Sequence, residues 1–179
     1  FELIKPRCKI DNASPEQRTS KHIFLSLDKL EPECKKWFEE SSVKGAWSKN
    51  AINITKTWFN EGLQPRCITR DLKWGTPVPL EKYAEKVLYV WFDACIGYVS
   101  ITANYTESWQ KWWKDPENVQ LYQFMGKDNV PFHTVIFPSS EIGTKEKWTK
   151  LHHNSCSEYL QYEGGKFSKS RGVGVFGNN

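Results

Sequence analysis

The sequence VLYVWFDACIGY, residues 87–98, gives the clearest indication of the fold. Val87–Phe92 is a continuous apolar run, mostly β-branched or aromatic, which is typical of a parallel strand buried on both faces. Small residues follow from Asp93 and can open a helix. A second apolar run, Leu121–Met125, comes after a tryptophan-rich helix predicted around Trp109–Trp113. This alternation predicts an α/β domain with a doubly wound parallel sheet, whose site lies beyond the carboxyl ends of the strands.

The residues before this region predict a short strand and a pair of helices. His22–Leu27 has the apolar character of a strand. Lys29–Glu40 places its apolar residues on one helical face, with Asp28 as the expected N-cap. Lys49–Glu61 is predicted as a second helix, ended by the glycine that follows it. We interpret the two helices as an antiparallel pair without chemistry of its own.

The composition is that of a soluble globular protein. Of 179 residues, 26% are charged, the net charge is +4 and the mean hydropathy is −0.64. No apolar run approaches the roughly 18–20 residues of a membrane span, and no signal-peptide pattern is present. The five cysteines lack the paired spacing of a disulfide framework or zinc site, which indicates reduced thiols in the cytosol. Both ends read as the interior of a longer sequence, so we expect a longer parent protein.

A cationic loop lies near the end of the chain, within Tyr159–Gly172. Gly164–Gly165 separates two short runs and predicts a tight hairpin. Lys166, Lys169 and Arg171 follow among small hydroxyl residues, and no acidic residue occurs from Gly164 onward. Such a loop suits a polyphosphate that is gripped and released. The alternative is a solvated basic surface loop.

A second group of residues surrounds the corner after the first strand. Trp91 and Tyr98 offer wide aromatic walls, and Ala94 and Cys95 offer a small floor. Together they indicate a slot for an unbranched apolar side chain. Ordinary core packing is the alternative interpretation.

The third group follows the second strand. Gly126 and Asp128 offer open backbone and a carboxylate at a predicted helix start, which could hold a phosphate and a ribose diol or an amino group. Asp128 could instead act only as a helix cap, and His133 could be a packed, hydrogen-bonded residue. No metal site is predicted, because no cysteine or carboxylate stands at ligand spacing from His133.

Two other pairs are given structural roles. Asp93 ends the first strand, and we expect it to form an ion pair with Arg70. His152–His153 has no partner pattern and is interpreted as helix surface.

Three segments together resemble the class I methionyl-tRNA synthetases, most closely the eukaryotic cytosolic type. They are Tyr89–Tyr98, Gly126–His133 and Lys166–Gly172, the last matching the KMSKS motif with Phe in place of Met. The order and spacing of these motifs fit the family, and the resemblance covers essentially the whole chain. It implies the second half of a class I synthetase Rossmann-like parallel sheet, with helices on both faces, preceded by the end of the connective insertion. The implied divisions are residues 1–66 for the insertion, 67–157 for the half sheet, and 158–179 for the hairpin and KMSKS-type loop.

The resemblance also implies roles for individual residues. Methionine would be bound by Trp91, Ala94, Cys95, Tyr98, Asn129, Val130 and His133. ATP would be bound by Gly126, Asp128, Lys166, Ser168 and Lys169. The catalytic residues would be Lys169 and, in support, Lys166, which stabilise the triphosphate as the methionine carboxylate attacks the α-phosphate.

The implied activity is ATP-dependent ligation of methionine to its tRNA through a methionyl-adenylate, with Mg²⁺ accompanying ATP. The HIGH motif and the anticodon-binding domain would lie elsewhere in the parent protein, so this piece alone is expected to be inactive. Zinc is not expected, because Cys8–Asp11 resembles a zinc knuckle that lacks its second cysteine. Cys95 stands where relatives often have Pro or Thr, a change between small residues. The alternatives are a non-catalytic tRNA- or nucleotide-binding module with this fold, or another class I nucleotidyl transferase.

Overall fold

A computed structural model describes residues 4–8 and 10–177. Its helices are α1 Leu27–Lys44, α2 Lys49–Glu61, α3 Val90–Asp93, α4 Ile96–Tyr105, α5 Gln110–Trp113 and α6 Phe137–Gly143. Its strands are β1 Phe24–Leu25, β2 Arg66–Cys67, β3 Thr69–Arg70, β4 Val87–Leu88, β5 Leu121–Gly126, β6 Leu151–Ser157, β7 Gln161–Tyr162 and β8 Gly165–Lys166. Short 3₁₀ turns occupy Glu81–Tyr83, Lys127–Asn129 and Lys169–Arg171, and a π-helical turn spans Phe132–Ile136.

The parallel sheet is formed by β5 and β6. Gln123 pairs with Asn154, and Gly126 pairs with Ser157 at the carboxyl ends. The crossover between the strands contains the π-helical turn and α6, as a parallel connection requires. These features confirm the α/β class, with β6 rather than Val87–Phe92 as the parallel partner of β5.

The predicted helix pair is confirmed and covers one side of this sheet. With its turn and the residues just after α2, it contributes Leu27, Cys34, Phe38, Trp47, Ala51, Phe59 and Leu63 to the main core, which Val130, Val135, Ile136 and Leu151 complete. Buried Thr55 donates a hydrogen bond to Thr134 Oγ1 at 2.8 Å, so α2 is bonded to the crossover as well as packed on it. α1 begins two residues earlier than predicted, which places Asp28 in its first turn and Ser26 at the N-cap. Outside this core, Tyr122 and Phe124 of β5 are 53% and 75% exposed.

The turn between the helices approaches β6 closely. A Cβ at Gly45 would lie 1.7 Å from the His152 carbonyl oxygen, so only glycine fits there. Trp47 Nε1 donates to the same oxygen at 2.7 Å, and His153 Nδ1 lies 2.6 Å from the Gly45 oxygen. The prediction of His152–His153 as helix surface is therefore wrong, because both residues belong to a strand pinned by this turn.

The predicted strand Val87–Phe92 is also wrong beyond its first two residues. Val87–Leu88 pairs antiparallel with Thr69–Arg70, and the chain then turns into α3. The amides of Phe92 and Asp93 both donate to the Tyr89 oxygen, which closes a helical turn. Val90 and Trp91 are 58% and 50% exposed, so burial on both faces is absent. An apolar run of six residues does not by itself distinguish a strand from a helical turn.

The hairpin before the cationic loop is confirmed. β7 and β8 are antiparallel, with Gln161 opposite Lys166. The turn residues Glu163 and Gly164 have φ of 47° and 76°. Positive φ at both central residues matches the right-handed twist of the strands. The divisions at residues 66 and 157 remain predictions.

Among the described residues, no helix combines the length and apolarity needed to cross a bilayer.

Candidate active site

A tyrosine–histidine pair joins two of the sequence motifs. Tyr98 Oη lies 2.9 Å from His133 Nε2, and His133 Nδ1 lies 2.8 Å from the Asn129 carbonyl oxygen. Because a carbonyl only accepts, Nδ1 carries the proton and Nε2 accepts from the tyrosine hydroxyl. Burial lowers the pKa of His133, against the raising effect of the Asn129 carbonyl. The imidazole is therefore neutral near pH 7, and burial raises the pKa of the Tyr98 hydroxyl that bonds it.

The remaining residues of the predicted slot differ in their exposure. The Trp91 ring packs on Phe132 with centroids 5.1 Å apart. Cys95 is buried, and its Sγ lies 3.8 Å from the Phe132 oxygen. Ala94 and the Asn129 side chain are exposed, whereas Val130 is fully buried in the main core. Val130 thus lies behind the slot surface.

Tyr98 also borders an open cleft against β5. This cleft has a volume of about 380 Å³. It is lined by Tyr98, Ile101, Thr102, Trp113, Leu121, Tyr122, Gln123 and Phe124. Two wider clefts, of about 880 and 700 Å³, lie along residues 70–93. Neither is lined by a residue predicted for the site, so we place the candidate site by its chemistry rather than by cleft size.

A second set of contacts forms where β5 and β6 end side by side. Asp128 follows β5, and Tyr159 follows β6. Asp128 Oδ2 accepts a hydrogen bond from Tyr159 Oη at 2.5 Å. Lys127 Nζ lies 2.7 Å from Glu158 Oε2. Gly126 is open, since a Cβ there would meet nothing within 4 Å. A carboxylate beside bare backbone therefore stands at the carboxyl edge of the sheet, where ligands of such folds bind.

The cationic loop folds back toward this edge. Lys166 Nζ lies 4.1 Å from the centroid of the Tyr159 ring. Ser168 and Val173 exchange backbone hydrogen bonds of 2.9 and 3.0 Å, which closes the loop around the turn Lys169–Arg171. Lys169 is exposed and forms no ion pair within the part of the chain that the structure describes. Its ammonium group is therefore available to a phosphate.

The structure thus connects five of the twelve predicted site residues in two groups, which meet in sequence at Asp128 and Asn129. Tyr98, Asn129 and His133 are linked by hydrogen bonds, and Asp128 and Lys166 meet through Tyr159. Lys127, Glu158 and Tyr159 were not predicted as site residues. Only recognition of β6 as a strand could have found Tyr159, because its position follows from the end of that strand.

The predicted ion pair between Asp93 and Arg70 is wrong. Asp93 Oδ2 accepts from Thr76 Oγ1 at 2.8 Å. The Arg70 guanidinium lies 3.6 Å from the centroid of the Tyr89 ring and donates to the Thr69 oxygen at 2.9 Å. Arg70 therefore contacts the Tyr89 ring and the Thr69 carbonyl instead of the Asp93 carboxylate, because α3 turns Asp93 toward the Thr76 loop.

The cysteines are all free thiols. Burial raises the pKa of Cys34 and of Cys95 to about 11, so neither is a ready nucleophile or metal ligand. In residues 4–8 and 10–177, no group of three or more His, Cys, Asp or Glu side chains is arranged to hold a metal ion. Lys9, within the knuckle-like segment Cys8–Asp11, lies outside the described residues.

Comparison with known proteins gives concordant results. The family described as "tRNA synthetases class I (M)" matches residues 1–179. The chain is 71% identical to "Methionine--tRNA ligase, cytoplasmic" of Saccharomyces cerevisiae over 100% of its length and 24% of that protein. It is 58% identical to the Homo sapiens protein of the same name over 99% of this chain and 20% of that protein. The chain thus spans about a quarter or less of these relatives.

A solved structure supports the fold. It is described as a methionyl-tRNA synthetase of Mycobacterium tuberculosis bound by methionyl-adenylate, and it matches 93% of this chain and 32% of its own, with a TM-score of 0.71 and 19% identity. At that identity the likeness bears on the fold alone. The match of the family over the whole length decides the assignment, and the chain belongs to the class I tRNA synthetases of the methionyl type.

Proposed function

We propose that the full-length protein containing this chain is a cytoplasmic methionine–tRNA ligase. It activates methionine with ATP to methionyl-adenylate and then transfers the methionyl group to its tRNA. The observation that carries this proposal is a chain of contacts: His133 bonds Tyr98 and the carbonyl of Asn129, and the preceding Asp128 bonds Tyr159, whose ring contacts Lys166 of the cationic loop. The names of the curated relatives support the same activity and compartment.

In this proposal the slot side recognises the methionine side chain. Its residues are Trp91, Ala94, Cys95, Tyr98, Asn129 and His133, with Val130 supporting them from behind the slot surface. Because the Tyr98 hydroxyl donates its proton to Nε2 of the neutral imidazole, the hydroxyl oxygen can act toward the ligand only as an acceptor. The aromatic walls of the slot suit the polarisable sulfur of a thioether, because sulfur makes favourable contacts with ring edges.

The nucleotide side holds ATP, accompanied by Mg²⁺, through Gly126, Asp128, Lys166, Ser168 and Lys169. Asp128 accepts from the ribose, and the loop approaches the phosphates. The methionine carboxylate oxygen attacks the α-phosphorus, the bond from that phosphorus to the bridging oxygen breaks, and pyrophosphate leaves. Lys169, with Lys166 assisting, stabilises the negative charge of the triphosphate as it separates. Such a reaction depends on positioning and on charge stabilisation more than on covalent help from the protein.

The remaining parts belong to other segments of the full-length protein. These are the first half of the catalytic fold, with its HIGH motif, and the domain that binds the anticodon. The chain by itself is accordingly expected to lack exchange activity.

The test is ATP–pyrophosphate exchange by the full-length protein with methionine, leucine and isoleucine. We expect exchange with methionine and roughly 100-fold lower kcat/KM with the other two, which is near the most that an apolar pocket achieves without editing. Retained tRNA or ATP binding without exchange would instead favour a non-catalytic binding module. Preference for another amino acid would favour another class I nucleotidyl transferase.

A further inference from the structure

Tyr159 contacts groups of both charges at the nucleotide side of the site. Its hydroxyl bonds Asp128, and its ring lies under Lys127 and Lys166, with distances of 4.5 and 4.1 Å from each ammonium nitrogen to the ring centroid. We propose that Tyr159 is a positioning residue for ATP, which fixes the carboxylate for the ribose through its hydroxyl and the hairpin lysine through its ring. This inference rests on the function proposed above.

The sheet explains why these two residues meet. Gly126 and Ser157 are paired at the carboxyl ends of β5 and β6. Asp128 and Tyr159 each lie two residues beyond that pair, where the two backbone segments are still close to each other. The contact is therefore set by strand register rather than by a chance approach of two surface side chains.

The hydroxyl leaves the carboxylate free to bind a sugar. Tyr159 has one proton to donate, and it donates to Oδ2 at 2.5 Å, the short distance typical of a charge-assisted bond. Oδ1 keeps its lone pairs for a ribose hydroxyl. Asp128 is exposed, so without this bond its side chain would turn among several rotamers. The bond to Asp128 raises the pKa of Tyr159, which keeps the donor protonated.

The ring acts on the positive groups. Lys127 is held twice, by the ring and by Glu158 at 2.7 Å. Lys166 is held by the ring alone within the described residues, so its charge is not neutralised. An ammonium group over an aromatic face is attracted without losing its charge. The ring thus places Lys166 at the edge of the site while leaving it free to meet a phosphate, and it couples the hairpin to the sugar position.

The first test is Tyr159→Phe in the full-length protein, with Tyr162→Phe as the matched control. The control removes the same atom from a tyrosine three residues later, in β7, and no hydrogen bond to the Tyr162 hydroxyl is seen among the described residues. We expect the KM for ATP to rise about fivefold in Tyr159→Phe, with kcat within twofold and the methionine KM unchanged, as for one exposed charge-assisted hydrogen bond. An unchanged KM for ATP would overturn the inference. A lower KM would also overturn it, because the hydroxyl would then compete with the nucleotide.

A second variant, Tyr159→Leu, removes the ring as well. We expect the kcat of Tyr159→Leu to be about tenfold lower than that of Tyr159→Phe, which keeps nearly the wild-type value. Equal kcat in the two variants would refute the role of the ring. ATP binding measured by calorimetry gives the same comparison without catalysis. If the wild type exchanges pyrophosphate with no methionine dependence, the proposed function fails, whereas loss of ATP affinity in Tyr159→Phe would still support the positioning role.

Discussion

Replacing Glu141 by Gln should change how stability depends on pH. Glu141 lies on α6, is 4% exposed, and its Oε1 has no hydrogen-bond partner among the described residues. Burial raises its pKa to about 8, although Lys150 and Lys114 act to lower it. The thiols of Cys34 and Cys95 also lie close enough to feel its charge. The carboxyl is therefore mostly protonated in the folded protein at neutral pH.

The direction of the effect follows from the two protonation states. Below pH 4.5 the carboxyl is protonated whether α6 is folded or open, so ionisation costs nothing. Between pH 4.5 and about 8 the open state loses its proton and the folded state keeps it. Stability then falls by about 1.4 kcal/mol per pH unit, which amounts to about 3 kcal/mol at pH 7. Above about pH 8 both states are ionised and the loss is complete.

The Gln variant removes this dependence but keeps a buried amide that needs partners. We expect it to be no more stable than the wild type at pH 5 and more stable by about 1–3 kcal/mol at pH 7.5, after the cost of the unpaired amide. Hydrogen exchange of peptides covering Phe137–Gly143, corrected for the intrinsic rate at each pH, reports the opening free energy of α6. Glu40→Gln is the control, since this glutamate is exposed on α1.

Parallel pH profiles for the wild type and Glu141→Gln would refute this reasoning. They would mean that Glu141 is already ionised in the folded protein, or that water reaches it. The profile of Glu40→Gln should follow that of the wild type, because a solvated surface charge contributes little.

Three further predictions concern the loop, the slot and the fold. In the full-length protein, Lys169→Ala should lower the rate of pyrophosphate exchange about 10²–10³-fold and leave the methionine KM nearly unchanged; a collapsed affinity for methionine with intact kcat would contradict the assigned role. Tyr98→Phe deprives the neighbouring imidazole of its donor, and discrimination against leucine-like analogues should weaken about 5–10-fold in kcat/KM; equal ratios across such analogues would argue against this pocket. Gly45→Ala should cost about 3 kcal/mol or more in chemical unfolding, since the new Cβ would overlap the His152 oxygen, whereas Gly97→Ala, with nothing within 4 Å, should be tolerated.

Elements with a strong periodicity of apolar residues were predictable from the sequence. The repeat of apolar residues in Lys29–Glu40 and Lys49–Glu61 located both long helices, because each buries one stripe on the sheet. Leu121–Met125 was found by its apolar character, and glycine chemistry located the hairpin. Asp128 was found as a candidate because it directly follows a strand.

The failures have a common physical cause. β6 reads Leu-His-His-Asn-Ser-Cys-Ser, and several of its hydrogen-bond partners come from distant parts of the fold rather than from neighbours in sequence. His153 bonds the Gly45 carbonyl, 108 residues away, and the Ser48 hydroxyl accepts from the Cys156 amide. No local pattern encodes such partners. Tyr159 was missed for the same reason, since its place depends on where β6 ends.

The packing of α1 on the crossover has a consequence for synthesis on the ribosome. The Cys34 thiol lies 3.9 Å from the Thr134 oxygen, across 100 residues of chain. At roughly 5–20 residues per second, the first helices therefore wait roughly 5–20 s for their partner surface to emerge. During that interval their apolar stripe has nothing of this core to cover it, so the nascent chain is most open to chaperones before residue 134 leaves the exit tunnel.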